Sequence, residues 1–265
     1  MHWTPADMDN RVNKVALAER FGKAAATYDQ YALLQQDVGR TLLSLFPLAS
    51  AKRGLDLGCG SGFFLPDLRQ LCNDITGLDL SMGMLHHAAT RVADAHFICG
   101  DAEALPVQSR SVDLVFSSLA LQWCHDLTAA LREIKRVLTP QGYLLFATLS
   151  KGSLHELREA WATVDEFQHV NVFKDADTVR AEAESSGLVC ETWLMQRHVL
   201  HYPDVRSILY SLKGIGASQL TGARAGGLAT RQKLQALEQA YNAAHRTSAG
   251  LLPVTYHVCY GVLHQ

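Results

Sequence analysis

Several features that would narrow the function at once are absent from the 265-residue sequence. No run of Lys and Arg marks a nucleic-acid stripe or a membrane-surface patch, and the formal net charge is only -2. No apolar stretch approaches the roughly 20 residues that span a bilayer. The opening MHWTPADMDN is polar and mildly acidic, unlike a signal peptide, so a cytoplasmic protein is expected. None of the six cysteines stands in C-x-x-C spacing, which points to reduced, buried thiols rather than a disulfide frame. Twelve histidines include no H-E-x-x-H, and His86 and His87 are adjacent, so no metal site is expected. Internal repeats and low-complexity linkers are also missing. What remains is an ordinary globular balance, 48% hydrophobic and 19% charged, in one large domain.

The apolar periodicity supplies the elements. Residues 12–46 read as helical, with Gly22 and Gly39 as interruptions. Gly54–Leu57 is a short strand, and a glycine loop leads into a helix over Phe63–Leu71. Asp74–Leu80, Ala95–Cys99, Ser111–Ser118 and Tyr143–Leu149 are further strands. Between them lie a helix capped by Ser81 and running to Val92, and another over Asp126–Leu138 ended by Pro140 and Gly142. Strand and helix alternating at this pace imply a doubly wound α/β layer whose ligand lies at the carboxyl ends of the strands. The second half differs. Leu154–Phe167, Ala176–Ser186, Asp204–Ile215 and Thr230–His245 read as helices, Leu188–Tyr202 holds a strand, and VTYHVCYGVLH is a good final strand. Gly214–Gly227 is the loosest stretch.

The chemistry begins at LDLGCGSGFF, where Gly58, Gly60 and Gly62 give G-x-G-x-G. The third glycine comes one residue too early for the dinucleotide fingerprint G-x-G-x-x-G, which disfavours a nicotinamide enzyme. Glycines here let the backbone turn and approach a ligand without a Cβ in the way. Asp79 ends the second strand 21 residues after Gly58, where a carboxylate can accept both hydroxyls of a ribose. GDAEALP follows the third strand and SVDLVFSSLALQW carries the fourth. In this order, with acidic Asp56 ahead of the glycines, the motifs resemble those of the seven-strand class I S-adenosylmethionine methyltransferases. The resemblance implies a Rossmann-like seven-strand sheet with its last strand antiparallel, an N-terminal helical lid over residues 1–50, and a helical insertion over residues 203–250 before the last strand, all within one domain of 1–265. It implies S-adenosyl-L-methionine as cofactor, leaving as S-adenosylhomocysteine. Its binding set would be Asp56, Gly58, Gly60, Gly62, Asp79, Leu80, Met84, Asp101, Ala102 and Ser118, with Asp101 on the adenine amino group and Ser118 beside the sulfonium. Tyr28 would fold over the cofactor from the N-terminal helices.

The acceptor is narrowed by further absences. Ser117-Ser118-Leu119-Ala120 stands where amine methyltransferases of nucleic acids or glutamine carry N/D-P-P-Y/F, and no carboxylate cluster suits a metal-dependent catechol enzyme. FGKAAATYDQYALLQ, LALQWC, GSLHELREAWATVDEFQHVNVF, SLKGIGA and VTYHVCYGVL together are similar to the malonyl-acyl-carrier-protein O-methyltransferases of biotin synthesis, over nearly the whole chain. That family methylates the free carboxylate of a malonyl thioester on carrier protein or coenzyme A. The ester then primes pimeloyl synthesis. No general base is expected, because a carboxylate is already ionised at pH 7. Lys213 or His169 would hold the malonyl carboxylate, with Asn171, Gln122 and Tyr28 as polar supports, while Trp123 reads as core. An acidic carrier would dock on basic residues drawn from Arg197, Arg206, Lys213, Arg224, Arg231 and Lys233. Another small carboxylate, a quinone-like ring, or a cofactor-binding protein without turnover stay open as alternatives. Met82-Gly83 departs from the more usual Pro-containing turn after DLS, and a glycine there should loosen the helix by about 1 kcal/mol relative to alanine.

Overall fold

The computed structural model describes residues 13–92, 94–216 and 231–265. Arg224, Thr230, residue 12 and most of Gly214–Gly227 therefore lie outside the described residues. In chain order the elements are α1 Lys14–Ala24, α2 Tyr28–Tyr31, α3 Leu33–Ser44, β1 Ala51–Leu57, α4 Leu65–Leu71, β2 Cys72–Asp79, α5 Met82–Arg91, β3 His96–Cys99, β4 Val112–Ser118, α6 Leu127–Val137, β5 Leu138–Leu149, α7 His155–Ala162, α8 Ala176–Ser185, β6 Val189–Tyr202, α9 Val205–Gly214, α10 Arg231–His245 and β7 Leu252–His264. No helix among them is long and apolar enough to cross a membrane.

The strands form one seven-stranded sheet in the order β3-β2-β1-β4-β5-β7-β6. The first five are parallel neighbours, and β7 runs antiparallel between β5 and β6. Helices cover both faces, so the central strands are apolar on both sides. On β5, Leu144 and Phe146 point into one core with Leu131, Ile134 and Val137 of α6. Leu145 and Ala147 point into the other, with Val38 and Leu42 of α3 and Leu237 and Tyr241 of α10. The α6 stripe shows how sequence makes such a helix. Leu127, Ala130, Leu131, Ile134 and Val137 recur at helical spacing and are buried, and the Asp126 side chain caps the start by accepting from Ala129 N at 3.0 Å.

Several boundaries depart from the sequence reading. The N-terminal helices break at residues 25–27 and at Ala32, not at the glycines. Gly39 lies inside α3 because a Cβ there would come within 2.1 Å of the Phe64 ring. Gly22 lies inside α1 at the crossing with α5, where a Cβ on Gly83 would meet Gly22 Cα at 2.7 Å. The expected penalty of Gly83 is thus the condition for α1 to seat on α5. Ser81 reinforces the crossing, its hydroxyl donating to Ala18 O at 2.7 Å while accepting from Met84 N. Changing Gly83 to Ala should therefore destabilise the protein by about 1–3 kcal/mol through overpacking, instead of the gain that helix propensity alone gives. A urea titration of the two proteins checks the sign.

Helix α6 stops at Val137, so Pro140 and Gly142 lie in the irregular start of β5, where pairing to β4 jumps from Val112↔Leu138 to Leu114↔Tyr143. Helix α7 begins after Leu154, a left-handed N-cap at φ 59°, and ends at Ala162, five residues short of Phe167. Of the cysteines, all free, Cys59, Cys72 and Cys259 are buried, but Cys99 is exposed.

Candidate functional site

The parallel strand order reverses direction between β1 and β4, the switch point at which open α/β sheets take ligands. There the glycine loop follows β1. Gly58, Gly60 and Gly62 have φ of +76°, +52° and +75°, conformations that side chains other than glycine rarely adopt. The loop hangs from β2, with Gly58 N and Cys59 N both donating to Leu78 O at 2.7 and 3.0 Å. Asp79 fastens it further. One carboxylate oxygen accepts from Gly60 N at 2.9 Å and the other from Ser81 N at 2.7 Å. Burial nevertheless raises the Asp79 pKa, and these backbone donors only partly offset it.

A cleft of about 790 Å³ opens over this loop. Its walls include Gly58, Gly60, Asp79, Leu80, Met84, Asp101, Ala102, Ser118 and Tyr28, so nine positions expected to touch a cofactor converge on one space. Gly62 does not line it. A Cβ there would lie 2.8 Å from Ala88 Cβ, so its role is to let the loop pack on α5. Asp56 is likewise behind the loop. It is buried and lines a smaller cavity with Tyr28, Asp29, Ser61 and Ser118. Burial first, then the Asp79 charge, pushes the Asp56 carboxyl up to about 8. Burial and the same carboxylates push the neighbouring Cys59 thiol well up, which keeps it neutral.

The chemistry of this cleft suits S-adenosylmethionine. A Cβ built on Gly60 would meet no atom of the other described residues within 4 Å, so this side of the loop faces open space. Ser118 Oγ, at the end of β4, is buried with no hydrogen-bond partner among the described residues and lines the same cleft. The Asp79 carboxylate retains acceptor capacity beyond its bonds from the backbone.

Residues from α1 complete the site, and sequence reasoning missed them. Lys14 crosses to the loop after β3, donating to Asp101 Oδ2 at 2.5 Å and pairing with Glu103. Burial works against the Lys14 ammonium, but the two carboxylates outweigh it and raise its pKa; in turn, Lys14 overcomes the burial of Asp101 and lowers that carboxyl. Leu17 and Phe21 follow on the same helix face and line the cleft. Nothing in the spacing of Lys14 signals a partner 87 residues away. Helix α2 is held close as well. Asp29 accepts from the Ser61 hydroxyl of the glycine loop at 2.5 Å and pairs with Arg91 of α5.

Phe21, Tyr28, Leu119 and Trp123 form a wall shared with a second cavity of about 970 Å³. Trp123 is therefore part of the site and not simply core; its ring meets Phe21 edge-on at 5.9 Å. Gln122, His169 and Asn171 line this second cavity among apolar residues such as Leu154, Leu209 and Ile215. The His169 ring stacks on Trp161 with centroids 3.7 Å apart and donates from Nε2 to Asp165 Oδ1 at 2.7 Å. A hydrogen bond from Lys233 leads the groups that hold Asp165 down at about 2. Gln122 is oriented by donating to Leu119 O at 2.7 Å. Lys213 does not line the cavity. It stands on the outer side of α9, in a separate groove with Arg20 and Lys23. Among the described residues no group of three or more His, Cys, Asp or Glu side chains could hold a metal ion.

Comparison with known proteins agrees with this geometry. A family model described as a methyltransferase domain matches residues 55–146. A solved structure of phosphoethanolamine N-methyltransferase 2 from Haemonchus contortus, in complex with S-adenosylhomocysteine, is similar in fold, with a TM-score of 0.55 and 18% identity over 92% of this chain and 57% of that one. A biotin biosynthesis bifunctional protein, BioHC, from Cellvibrio japonicus is 39% identical over 95% of this chain and 50% of its own length. A malonyl-[acyl-carrier protein] O-methyltransferase from Serratia marcescens is 42% identical over 257 residues, covering 97% of this chain and 98% of that protein. At that identity, over nearly the full length of both, the chain belongs to the malonyl-[acyl-carrier protein] O-methyltransferase family.

Proposed function

We propose that this protein transfers a methyl group from S-adenosylmethionine to the free carboxylate of a malonyl thioester borne by acyl-carrier protein, the step that supplies a methyl-ester primer for biotin synthesis in the cytoplasm. The observation that carries the reading is the pair of adjoining cavities with one aromatic wall, the first floored by glycines with the Asp79 and Asp101 carboxylates in its lining, the second with His169, Asn171 and Gln122 among apolar residues. The names of the relatives from Serratia marcescens and Cellvibrio japonicus point to the same substrate and pathway.

S-adenosylmethionine supplies the methyl group in electrophilic form. In the cofactor cleft, Asp79 would take the ribose hydroxyls, Asp101 and Ala102 the adenine edge, and Leu80 and Met84 the flanks of the ring. Gly58, Gly60 and Ser118 would receive the methionine part, with Asp56 compensating its charge. The acceptor carboxylate is ionised at neutral pH, its usual pKa being about 4, so the residues need only orient it. Positioning of this kind supplies roughly 7–11 kcal/mol of a barrier. His169, fixed by Trp161 and Asp165, is the acceptor's principal polar partner, with Asn171 and Gln122 beside it. Burial, and after it the charges of Asp79 and Asp29, raises the Tyr28 phenol, so this side chain stays a hydrogen-bond donor at the boundary of the two cavities. Helices α1 and α2 act as the lid, excluding water once both ligands are in.

The test is transfer of tritiated methyl from S-adenosylmethionine to malonyl-carrier protein as base-labile label. Absence of label, with cofactor binding intact by calorimetry, would refute the substrate. His169→Ala should raise KM for the malonyl substrate about 10-fold or more and leave the dissociation constant of the cofactor unchanged.

A further inference from the structure

One motif of the sequence is left without a role by this site. SLKGIGA ends α9, and its residues divide between two spaces. Leu212 and Ile215 face the acceptor cavity, whereas Lys213, Gly214 and Gly216 face an outer groove of about 1050 Å³. Across the groove stand Arg20 and Lys23 of α1, with Tyr31 of α2 and Tyr210 of α9 at its rim. The walls hold three cations and, among the described residues, no carboxylate, in a chain whose net charge is -2. Lys23, Lys213, Tyr31 and Tyr210 are exposed, Tyr210 at 58%. The groove's shape depends on close backbone approach. A Cβ on Gly214 would lie 2.3 Å from the Tyr31 ring, and one on Gly216 would lie 2.9 Å from Phe21.

We propose that this groove receives the phosphate end of the pantetheine arm presented by the carrier protein. The proposal rests on the malonyl thioester reading above and assigns the part of that substrate remote from the reacting carboxylate. A carrier protein holds its acyl group as a thioester at the end of a pantetheine arm, which a phosphodiester joins to the protein. With the malonyl end in the acceptor cavity, the arm would leave past the lip made by Leu212–Gly216, whose residues line both that cavity and the groove. The three cations stand on the other side of that lip, where a phosphate and an acidic protein surface are electrostatically complementary. Lys213 thus binds substrate far from the carboxylate, not at it.

The experiment compares Lys23→Glu, Lys213→Glu and the double variant on two thioesters, malonyl-carrier protein and malonyl-N-acetylcysteamine, which lacks the phosphate and the protein, and adds malonyl-coenzyme A as a control for nucleotide phosphates. Each reversal should lower kcat/KM for the carrier substrate about tenfold through KM, the double variant more, with cofactor affinity and kcat/KM for the short thioester at wild-type values. An unchanged carrier reaction would overturn the proposal, as would a parallel loss on both thioesters, the outcome if Lys213 held the carboxylate. A larger loss on malonyl-coenzyme A than on carrier protein would assign the groove to nucleotide phosphates and overturn it too. Failure of the wild-type protein to methylate either thioester would refute the malonyl reading itself, and is distinct from these outcomes.

Discussion

Replacing Asp79 with alanine should weaken S-adenosylmethionine binding about 100-fold or more, with a matching fall in kcat/KM for the cofactor. The carboxylate sits where two backbone segments meet. Its oxygens accept from Gly60 N at 2.9 Å in the glycine loop and from Ser81 N at 2.7 Å at the head of α5. Hydrogen bonds to a charged group contribute about 1.5–3 kcal/mol each, and a factor of 100 is about 2.7 kcal/mol, so losing one or two of the proposed ribose contacts suffices. The backbone bonds hold the carboxylate in place for those contacts. Asp79→Asn is the sharper variant. Its shape is conserved, but its amide nitrogen must face one of two backbone donors, so it should lose nearly as much as alanine. Calorimetric titration with S-adenosylmethionine, beside thermal melts of the free proteins, separates lost binding from lost folding. Wild-type affinity in the Asn variant would show that the second acceptor is dispensable and would remove Asp79 from its assigned role.

The contrast between Asp79 and Lys14 shows what a sequence can carry. Asp79 is legible because local rules place it. A strand ends, a cap follows at Ser81, and the glycine loop lies one strand away in the same parallel layer. Gly58 and Gly60 are legible for the same reason, since their positive φ is a property of the turn itself. Lys14 and Phe21 reach the site through the docking of α1 on α5, a contact between segments about 60 residues apart whose only trace is a glycine in each helix. Gly22 and Gly83 look like defects when each helix is read alone and become comprehensible only as a pair. Lys213 fails in the opposite way. Its neighbours Leu212 and Ile215 do face the acceptor, but a helix turns by about 100° per residue, and that rotation puts the charged side chain on the outer face.

Asp56 leads to the second large effect, a cofactor affinity that rises with pH. Its carboxyl lies behind the glycine loop, with Cys59 and Asp79 near it and Tyr28 and Asp29 lining the same small cavity. Burial, then the Asp79 charge, pushes it up to about 8, against 3.8 for a solvated aspartate. The sign for folding is direct. Between about pH 4 and 8 the folded state holds a proton that the unfolded chain has released, so stability falls as pH rises through that window and levels off above it. For binding the sign reverses. A ligand bearing a sulfonium and an ammonium group favours the carboxylate, so below pH 8 binding expels the Asp56 proton. Affinity should therefore climb by up to about tenfold per pH unit between 6 and 8, because one unit of pKa corresponds to about 1.36 kcal/mol. The ligand's own α-amino group titrates near pH 8, so Asp56→Asn is the necessary control. That variant should lose the climb, bind more weakly than wild type at pH 8, and gain stability relative to wild type as pH rises from 5 to 9. Titration calorimetry in buffers of different ionisation enthalpy counts the protons released. The wild-type count should exceed that of the variant at pH 7, and equal counts would mean that Asp56 keeps its proton in the complex and leaves the cofactor's charge to Asp79.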